Sequence, residues 1–221
     1  MSFQYIAVEG PIGVGKSSLA ERIADRLDAT AVLEETDNPF LADFYAGRAG
    51  AALQAQLFYL LNRHRQLVGL QQGNLFSQAT VCDYLFDKDK IFAYLNLDDN
   101  ELFIYQRLFD LLATDIPAPD LVIYLQAPSD VLIKRLRARA KDPQHEAFDV
   151  DPERQVPQPD LSYLRELNEA YQHFFFHYSA TPLLVVETSH VDLHASDDAL
   201  DDLIRQIRSM NRGTQYYVPR T

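Results

Sequence analysis

One short stretch, residues 10–18, constrains this chain more than any other part of its sequence. It reads GPIGVGKSS and fits the pattern G-x-x-x-x-G-K-[ST] through Gly10, Gly15, Lys16 and Ser17. A strand-like apolar run precedes it and residues with helical periodicity follow it, which is the context that this loop requires. The sequence therefore predicts a strand, a loop that binds the phosphates of a nucleotide, and a helix.

The residue types of this loop explain how it would hold phosphate. Glycines, including Gly13, allow backbone N–H groups to turn toward phosphate oxygens, and the following helix presents its positive N-terminal end. We expect Lys16 to reach the β- and γ-phosphates and the hydroxyl of Ser17 to ligate Mg²⁺. We also expect Ser18 to bind the nucleotide. ATP and Mg²⁺ are therefore the predicted cofactors.

Charge and hydropathy exclude several classes of partner. The chain has 221 residues and a formal net charge of −12, which disfavours attraction to a polyanion such as duplex DNA. No uninterrupted apolar run reaches the ~18 residues of a membrane span, and the N-terminus lacks a basic region before a hydrophobic one. We therefore predict a cytoplasmic protein with neither a nucleic-acid nor a membrane partner.

Strand-like runs alternate with helical stretches along the chain. Alternation of this kind predicts a three-layer α/β domain with a five-stranded parallel sheet flanked by helices. We expect one domain over residues 1–221, with a C-terminal helix and tail at 196–221. The predicted strands lie at residues 3–8, 30–34, 79–83, 121–125 and 183–187.

A basic stretch and a proline-rich stretch follow the fourth predicted strand. Residues 134–141 contain five cations, and residues 142–160 contain four prolines and no sustained apolar period. Transfer of a phosphoryl group needs cations that close over it, so we expect a lid over about residues 134–160. Arg135, Arg139 and Lys141 are among these cations. The alternative is a solvated helix face with favourable charges at the helix C-terminus.

Acidic residues follow two of the predicted strands. Glu34 and Glu35 come after the second strand, and Asp83 comes after the third. Because ligands collect outside the carboxyl ends of parallel strands, we expect these acids to face the same crevice as the phosphate loop. One acid would accept the proton of an attacking hydroxyl group, and another would hold hydrated Mg²⁺.

Several further stretches carry a resemblance that covers the chain to about residue 187. They are NPFLADFY at 38–45, QAQLFYLLNRHRQ at 54–66, IFA at 91–93 and PDLVIYL at 119–125. With the phosphate loop and Asp83, in this order and spacing, they resemble the deoxynucleoside kinases, above all the bacterial deoxyadenosine/deoxyguanosine kinase branch. The resemblance implies a P-loop kinase fold, ATP-dependent phosphorylation of a deoxynucleoside at its 5′-hydroxyl, preferably a purine deoxynucleoside, and a homodimer.

The resemblance also implies roles for single residues. Glu34 matches the glutamate that deprotonates the sugar 5′-hydroxyl, and Glu35 is its rival. Tyr45 matches a tyrosine that touches the 3′-hydroxyl. Gln56 matches the glutamine that pairs with the base edge, and Arg63 matches the arginine beside it. An amide supports this pairing because it carries both a donor and an acceptor, as a base edge does.

One position departs from the family pattern. Asp83 matches the acid of an acidic-Arg-Ser signature that helps to hold Mg²⁺, but Tyr84 stands where the arginine is expected. A tyrosine cannot supply that charge, and loss of a transition-state arginine costs orders of magnitude in rate. Either Arg63, Lys88, Lys90 or a lid cation substitutes for it, or the acceptor differs.

In the lid, the resemblance implies that Arg135 and Arg139 are catalytic residues and that Lys141 binds the nucleotide. A second assignment in the lid stays open. The family's further contact to the sugar 3′-hydroxyl would be Glu153 or, as the alternative, Glu146. Two rival functions also remain at this point. One is a thymidylate-kinase-like nucleoside monophosphate kinase, and the other is a nucleotide-binding protein that has lost catalysis.

Overall fold

The computed structural model of the protein describes residues 3–72, 79–139, 160–191, 193 and 196–219. Within these residues, six strands form one sheet: β1 Tyr5–Glu9, β2 Thr30–Val32, β3 Thr80–Cys82, β4 Leu121–Gln126, β5 Leu183–Glu187 and β6 Thr214–Tyr217. Their order across the sheet is β2-β3-β1-β4-β5-β6, and every neighbouring pair is parallel. The carboxyl ends of β1, β2 and β3 therefore lie side by side.

The described residues also form eight α-helices. Their bounds are α1 Lys16–Leu27, α2 Leu41–Tyr45, α3 Ala51–Gln72, α4 Asp89–Asn96, α5 Asp99–Ala113, α6 Ser129–Arg139, α7 Leu161–His177 and α8 Asp197–Ser209. A 3-10 helix at Phe86–Lys88 joins β3 to α4. No helix of the described chain is long and apolar enough to cross a membrane.

Alternating side chains of the strands build a core on each face of the sheet. In β1, Ile6 and Val8 pack with α1 and α8, whereas Tyr5 and Ala7 pack with α3, α4, α5 and α7. Strand residues are apolar on both faces because helices cover both of them. The predicted three-layer α/β fold with a parallel sheet is therefore confirmed.

The predicted number of strands was five, and the structure has a sixth strand, β6. This strand lies at the sheet edge, where it pairs in parallel with β5 from Leu183↔Thr214 to Val186↔Tyr217. Its residues are mostly exposed, and Tyr216 is 72% exposed. An edge strand has one partner and little burial, so it lacks the apolar run by which the other strands were predicted.

Candidate active site

The phosphate loop connects the end of β1 to the start of α1. Gly13 and Gly15 have φ angles of 86° and 96°, in the left-handed region that side chains with a Cβ rarely adopt. A Cβ on Gly13 would lie 2.8 Å from Cγ of Leu136, on helix α6. The Lys16 ammonium donates to the carbonyl of Gly10 at 2.8 Å, which folds the lysine over the loop.

Asp83 links the phosphate loop to the end of β2. One oxygen of its carboxylate accepts a hydrogen bond from the hydroxyl of Ser17, and the other accepts from the backbone N–H of Glu34 at 2.7 Å. The structure thus brings Ser17, Asp83 and Glu34 together at the crevice that the sequence predicted. A hydroxyl and a carboxylate are hard oxygen donors, so Ser17 and Asp83 fit a magnesium ion that also contacts phosphate.

Two cations hold the side chain of Glu34. The Arg63 guanidinium donates to Oε1 at 2.5–2.6 Å, and the Lys88 ammonium donates to Oε2 at 2.5 Å. Burial disfavours the charged carboxylate, but the positive charges of Arg63 and Lys88 outweigh it and lower the pKa of Glu34 to about 2. The carboxylate is therefore ionised at neutral pH.

Glu35 lies in different surroundings. Its side chain is 54% exposed, against 15% for Glu34, and its ion-pair partner Arg65 is also exposed, at a distance of 3.4 Å. Glu35 therefore lies toward solvent, whereas Glu34 is held inside the crevice. Of the two rival acids, Glu34 is the one whose side chain lies in the crevice.

Asp89, at the start of α4, joins Gln56 to Arg63. Its backbone carbonyl accepts from the amide of Gln56 at 2.9 Å, its Oδ1 accepts from the same amide, and Oδ1 also accepts from Arg63 at 2.6 Å. All three residues are buried. They form a polar group beside Glu34, which we call the Gln56–Arg63–Asp89 cluster.

The role of Asp89 was missed in the sequence. It lies in the run Asp87-Lys88-Asp89-Lys90, in which alternating charges resemble a solvated surface. Burial raises the pKa of its carboxyl to about 6, although the charge of Arg63 opposes this effect. The neighbouring sequence carried no signal of this burial, which depends on the packing of Arg63 from α3 against Asp89.

Glu9, the last residue of β1, was also missed. Its carboxylate is fully buried and accepts hydrogen bonds from Gly10 N–H at 2.8 Å, Leu85 N–H at 2.9 Å and the Tyr171 hydroxyl at 3.2 Å. It joins the phosphate loop to the segment after β3. A single acid in an otherwise apolar strand was the available signal, since buried charges are seldom kept without partners.

Tyr84 lies beside the crevice, with the centre of its ring 5.8 Å from the ammonium of Lys88. Its side chain is fully buried in the core on the α3 face, and its hydroxyl donates to Oε1 of Gln66 at 2.7 Å. Gln66 in turn donates to the carbonyl of Leu33 at 2.8 Å. Tyr84 is therefore a core residue whose polar atom is satisfied away from the phosphate loop.

The remaining predicted residues lie at the periphery or outside the described residues. Tyr45 ends α2, with its ring 5.1 Å from that of Phe44. Arg135 donates to the Thr188 hydroxyl at 3.1 Å and to its carbonyl, which directs it to the end of β5. Arg139 is exposed at the end of α6. Lys141, Glu146 and Glu153 lie outside the described residues, as does most of the predicted lid.

Comparison with known proteins identifies the family. A family model described as deoxynucleoside kinase matches residues 6–211. The chain belongs to the deoxynucleoside kinase family. The predicted family and the predicted kinase activity on deoxynucleosides are therefore confirmed.

Relatives of this deoxynucleoside kinase include two proteins of Bacillus subtilis (strain 168). A deoxyguanosine kinase is 33% identical over 139 residues, which cover 62% of this chain and 67% of the relative. A deoxyadenosine/deoxycytidine kinase is 26% identical over 219 residues, which cover 95% of this chain and 94% of the relative. The second alignment extends the likeness over nearly the whole length of both chains.

A solved structure gives the same fold. Deoxyadenosine kinase from M. mycoides with bound dATP superposes with a TM-score of 0.72 at 22% sequence identity. The match covers 93% of this chain and 100% of that chain. At 22% identity this likeness shows the fold alone.

Proposed function

We propose that the chain is a cytoplasmic kinase that transfers the γ-phosphoryl group of ATP to the 5′-hydroxyl of a deoxynucleoside, preferably a purine deoxynucleoside. One observation carries this proposal: a continuous series of hydrogen bonds runs from the phosphate loop to the Gln56–Arg63–Asp89 cluster. Its members, in order, are Ser17, Asp83, Glu34, Arg63, Asp89 and Gln56. Glu34 lies in the middle of this series, where a hydroxyl acceptor would meet the phosphate donor.

The phosphate side of the site would hold the donor nucleotide. Backbone N–H groups of the loop and the Lys16 ammonium bind phosphate oxygens, while the helix dipole of α1 adds positive potential. Ser17 and Asp83 would hold Mg²⁺, which, when bound, neutralises part of the negative charge on the phosphates. Burial lowers the pKa of Lys16, while the nearby carboxylate of Glu9 opposes this effect.

Glu34 would accept the proton of the attacking hydroxyl. As the bond between the 5′-oxygen and the γ-phosphorus forms, the bond from that phosphorus to the β,γ-bridging oxygen breaks. The hydroxyl proton passes to Glu34, and ADP leaves with the electron pair of the broken bond. Positioning and charge neutralisation supply most of the acceleration in such reactions.

The Gln56–Arg63–Asp89 cluster would recognise the base. It offers an amide and a carboxylate that are already held in place, and such preorganised polar groups discriminate between base edges. The preference for a purine is supported by the names of the relatives, which include a deoxyguanosine kinase and a deoxyadenosine/deoxycytidine kinase. An uncharged sugar suits this site better than the phosphate of a nucleoside monophosphate, which disfavours the thymidylate-kinase alternative.

A second copy of the chain is the proposed protein partner. Helix α5 exposes large apolar side chains, among them Phe103, Ile104 and Leu111, and Leu61 on α3 is also exposed. Helices α3 and α5 are in contact, so these residues belong to neighbouring elements. A surface of this kind is characteristic of an interface between copies of a protein.

The test is ADP production with Mg·ATP and each of the four deoxynucleosides, their monophosphates and no acceptor. We expect turnover with deoxynucleosides, fastest with a purine, and none above background with monophosphates. Turnover with monophosphates alone would support the thymidylate-kinase alternative. Tight ATP binding with no turnover on any acceptor would contradict the proposed reaction.

A further inference from the structure

The crevice lacks an arginine at the position after Asp83, and Tyr84 cannot replace it. The Tyr84 ring is fully buried and its hydroxyl bonds to Gln66, on the side of the sheet covered by α3. Moving the side chain toward Glu34 would leave a large core volume empty, which is strongly unfavourable in a close-packed interior. A positive charge at this place would therefore have to come from another residue.

Two of the alternative cations are committed elsewhere. Lys90 pairs with Asp87 at 2.7 Å, and its ammonium lies 4.3 Å from the centre of the Phe109 ring, in partly exposed surroundings. Arg63 contacts Glu34, but it shares its charge with buried Asp89 in the cluster that would bind the base. Lys90 therefore lies away from Glu34, and Arg63 is shared between Glu34 and the residues that would bind the base.

Lys88 lies beside Glu34 and Glu9. Its side chain is 3% exposed, and its ammonium lies 2.5 Å from Oε2 of Glu34 and 3.9 Å from Oε2 of Glu9. It is the last residue of the 3-10 helix, four residues after Tyr84, so the helix turns it back toward the strand end. An ammonium has three donors, which allows it to serve Glu34 and a further oxygen at the same time.

Glu9 fixes Lys88 relative to the phosphate loop. One carboxylate oxygen accepts from Gly10 N–H in the loop, and the other accepts from Leu85 N–H, just before the 3-10 helix. The backbone N–H of Lys88 donates to the carbonyl of Leu85 at 3.1 Å, which closes the turn. The same carboxylate therefore holds both the loop and the segment that carries Lys88.

We propose that Lys88 supplies the positive charge for which this family uses an arginine after the acid of its signature. This inference rests on the proposed function. Lys88 orients Glu34 toward the 5′-hydroxyl, and its charge offsets the negative charge that gathers on the oxygens as the phosphoryl group moves from ATP to the acceptor. The hydroxyl proton still passes to Glu34, so Lys88 exchanges no proton in this step.

The test compares Lys88→Met and Lys88→Arg with wild type and with Lys90→Met as a matched control. We expect Lys88→Met to lower kcat about 100-fold or more, because it removes a charge that acts in the transition state. Its dissociation constants for ATP and the deoxynucleoside should change less than about fivefold. Lys88→Arg should recover at least about tenfold of kcat, and Lys90→Met should stay within about threefold of wild type.

The outcomes separate this inference from the proposed function. If wild type phosphorylates deoxynucleosides and Lys88→Met keeps kcat within about threefold, the role of Lys88 is overturned and the proposed function stands. Equal losses in Lys88→Arg and Lys88→Met would also overturn it, since a charge should rescue. If Lys88→Met does not fold by circular dichroism, Lys88→Gln takes its place in the same comparison. A wild type that phosphorylates no deoxynucleoside overturns both proposals.

Discussion

Oε2 of Glu34 lies 2.5 Å from the ammonium nitrogen of Lys88, a residue 54 positions further along the chain. The other oxygen of the same carboxylate bonds to Arg63. A buried carboxylate is costly unless its charge is paired and its oxygens are hydrogen-bonded, and here both conditions hold. The two cations therefore fix the orientation of Glu34 as well as its charge.

Glu34→Gln tests whether this carboxylate accepts the proton. The amide keeps the shape of the side chain but is a far weaker base, so we expect kcat to fall by at least about 100-fold. ATP affinity should stay near that of wild type, because the side chain of Glu34 bonds to Arg63 and Lys88, and its backbone N–H bonds to Asp83. Steady-state kinetics and a binding titration with ATP measure the two effects.

Glu35→Gln is the matched control for this substitution. The change in charge is the same, but Glu35 is exposed and pairs with exposed Arg65, so we expect kcat within about twofold of wild type. A large loss in Glu35→Gln with little loss in Glu34→Gln would exchange the roles of the two acids. Thermal unfolding of both variants shows whether either loss reflects unfolding.

Much of the fold and the phosphate side of the site could be predicted from the sequence, because these features are local. The strand, loop and helix around Lys16 follow one another without interruption, and the acids Glu34 and Asp83 directly follow apolar runs. Parallel strands bring such positions together whatever the details of packing. The contact between Ser17 and Asp83 is a consequence of that rule.

The parts that were missed depend on packing between distant segments. Nothing near Asp89 indicates that α3 will bury it against Gln56 and Arg63, and a charged run more often lies at the surface. Likewise, the sequence alone did not decide which of four cations, Arg63, Lys88, Lys90 or one of the lid, replaces the arginine expected at Tyr84. The burial of Tyr84 and the turn that carries Lys88 are features of the folded chain, and they favour Lys88.

Gly13→Ala should disturb the phosphate loop. The new Cβ would meet Leu136 at 2.8 Å on a residue whose φ is 86°, so both the contact and the backbone oppose it. We expect ATP to bind at least about tenfold more weakly and the free energy of unfolding to fall by about 1–3 kcal/mol. Urea denaturation and titration with ATP measure these changes.

Gly69→Ala is the control for Gly13→Ala. Gly69 lies within α3, and a Cβ there meets no atom within 4 Å. Alanine is favoured over glycine in a helix, so we expect a gain of about 0.5–1 kcal/mol and no change in ATP binding. Equal behaviour of the two variants would contradict the steric account of Gly13.

Phe103→Glu tests the proposed homodimer. Phe103 is 59% exposed on α5, and a carboxylate buried between two copies would be strongly unfavourable. Light scattering coupled to gel filtration should show a dimer for wild type and a monomer for this variant. Phe176→Glu, at a 78% exposed position on α7, should leave the dimer intact. A monomeric wild type, or equal dissociation of both variants, would contradict this interface.

Asp89→Asn tests whether the carboxyl of Asp89 makes the stability of the protein depend on pH. Asp89 faces Arg63 from α3, Glu34 from the segment after β2 and Tyr105 from α5, with Lys88 beside it in the chain, and burial is the largest effect on it. Its pKa is raised from 3.8 to about 6 in the folded protein. Between these two values the folded state binds more protons than the unfolded state, so rising pH lowers the free energy of unfolding.

The asparagine variant lacks this titration, and subtraction from wild type cancels most other groups. From about pH 5 to about pH 7.5, the free energy of unfolding of wild type minus that of Asp89→Asn should fall by about 1.5 kcal/mol. Urea denaturation of both proteins at each pH, without substrates, measures the difference. A difference that stays constant over this range would contradict the raised pKa, because a carboxyl whose pKa stays at or below its ordinary value is already ionised in both states at pH 5.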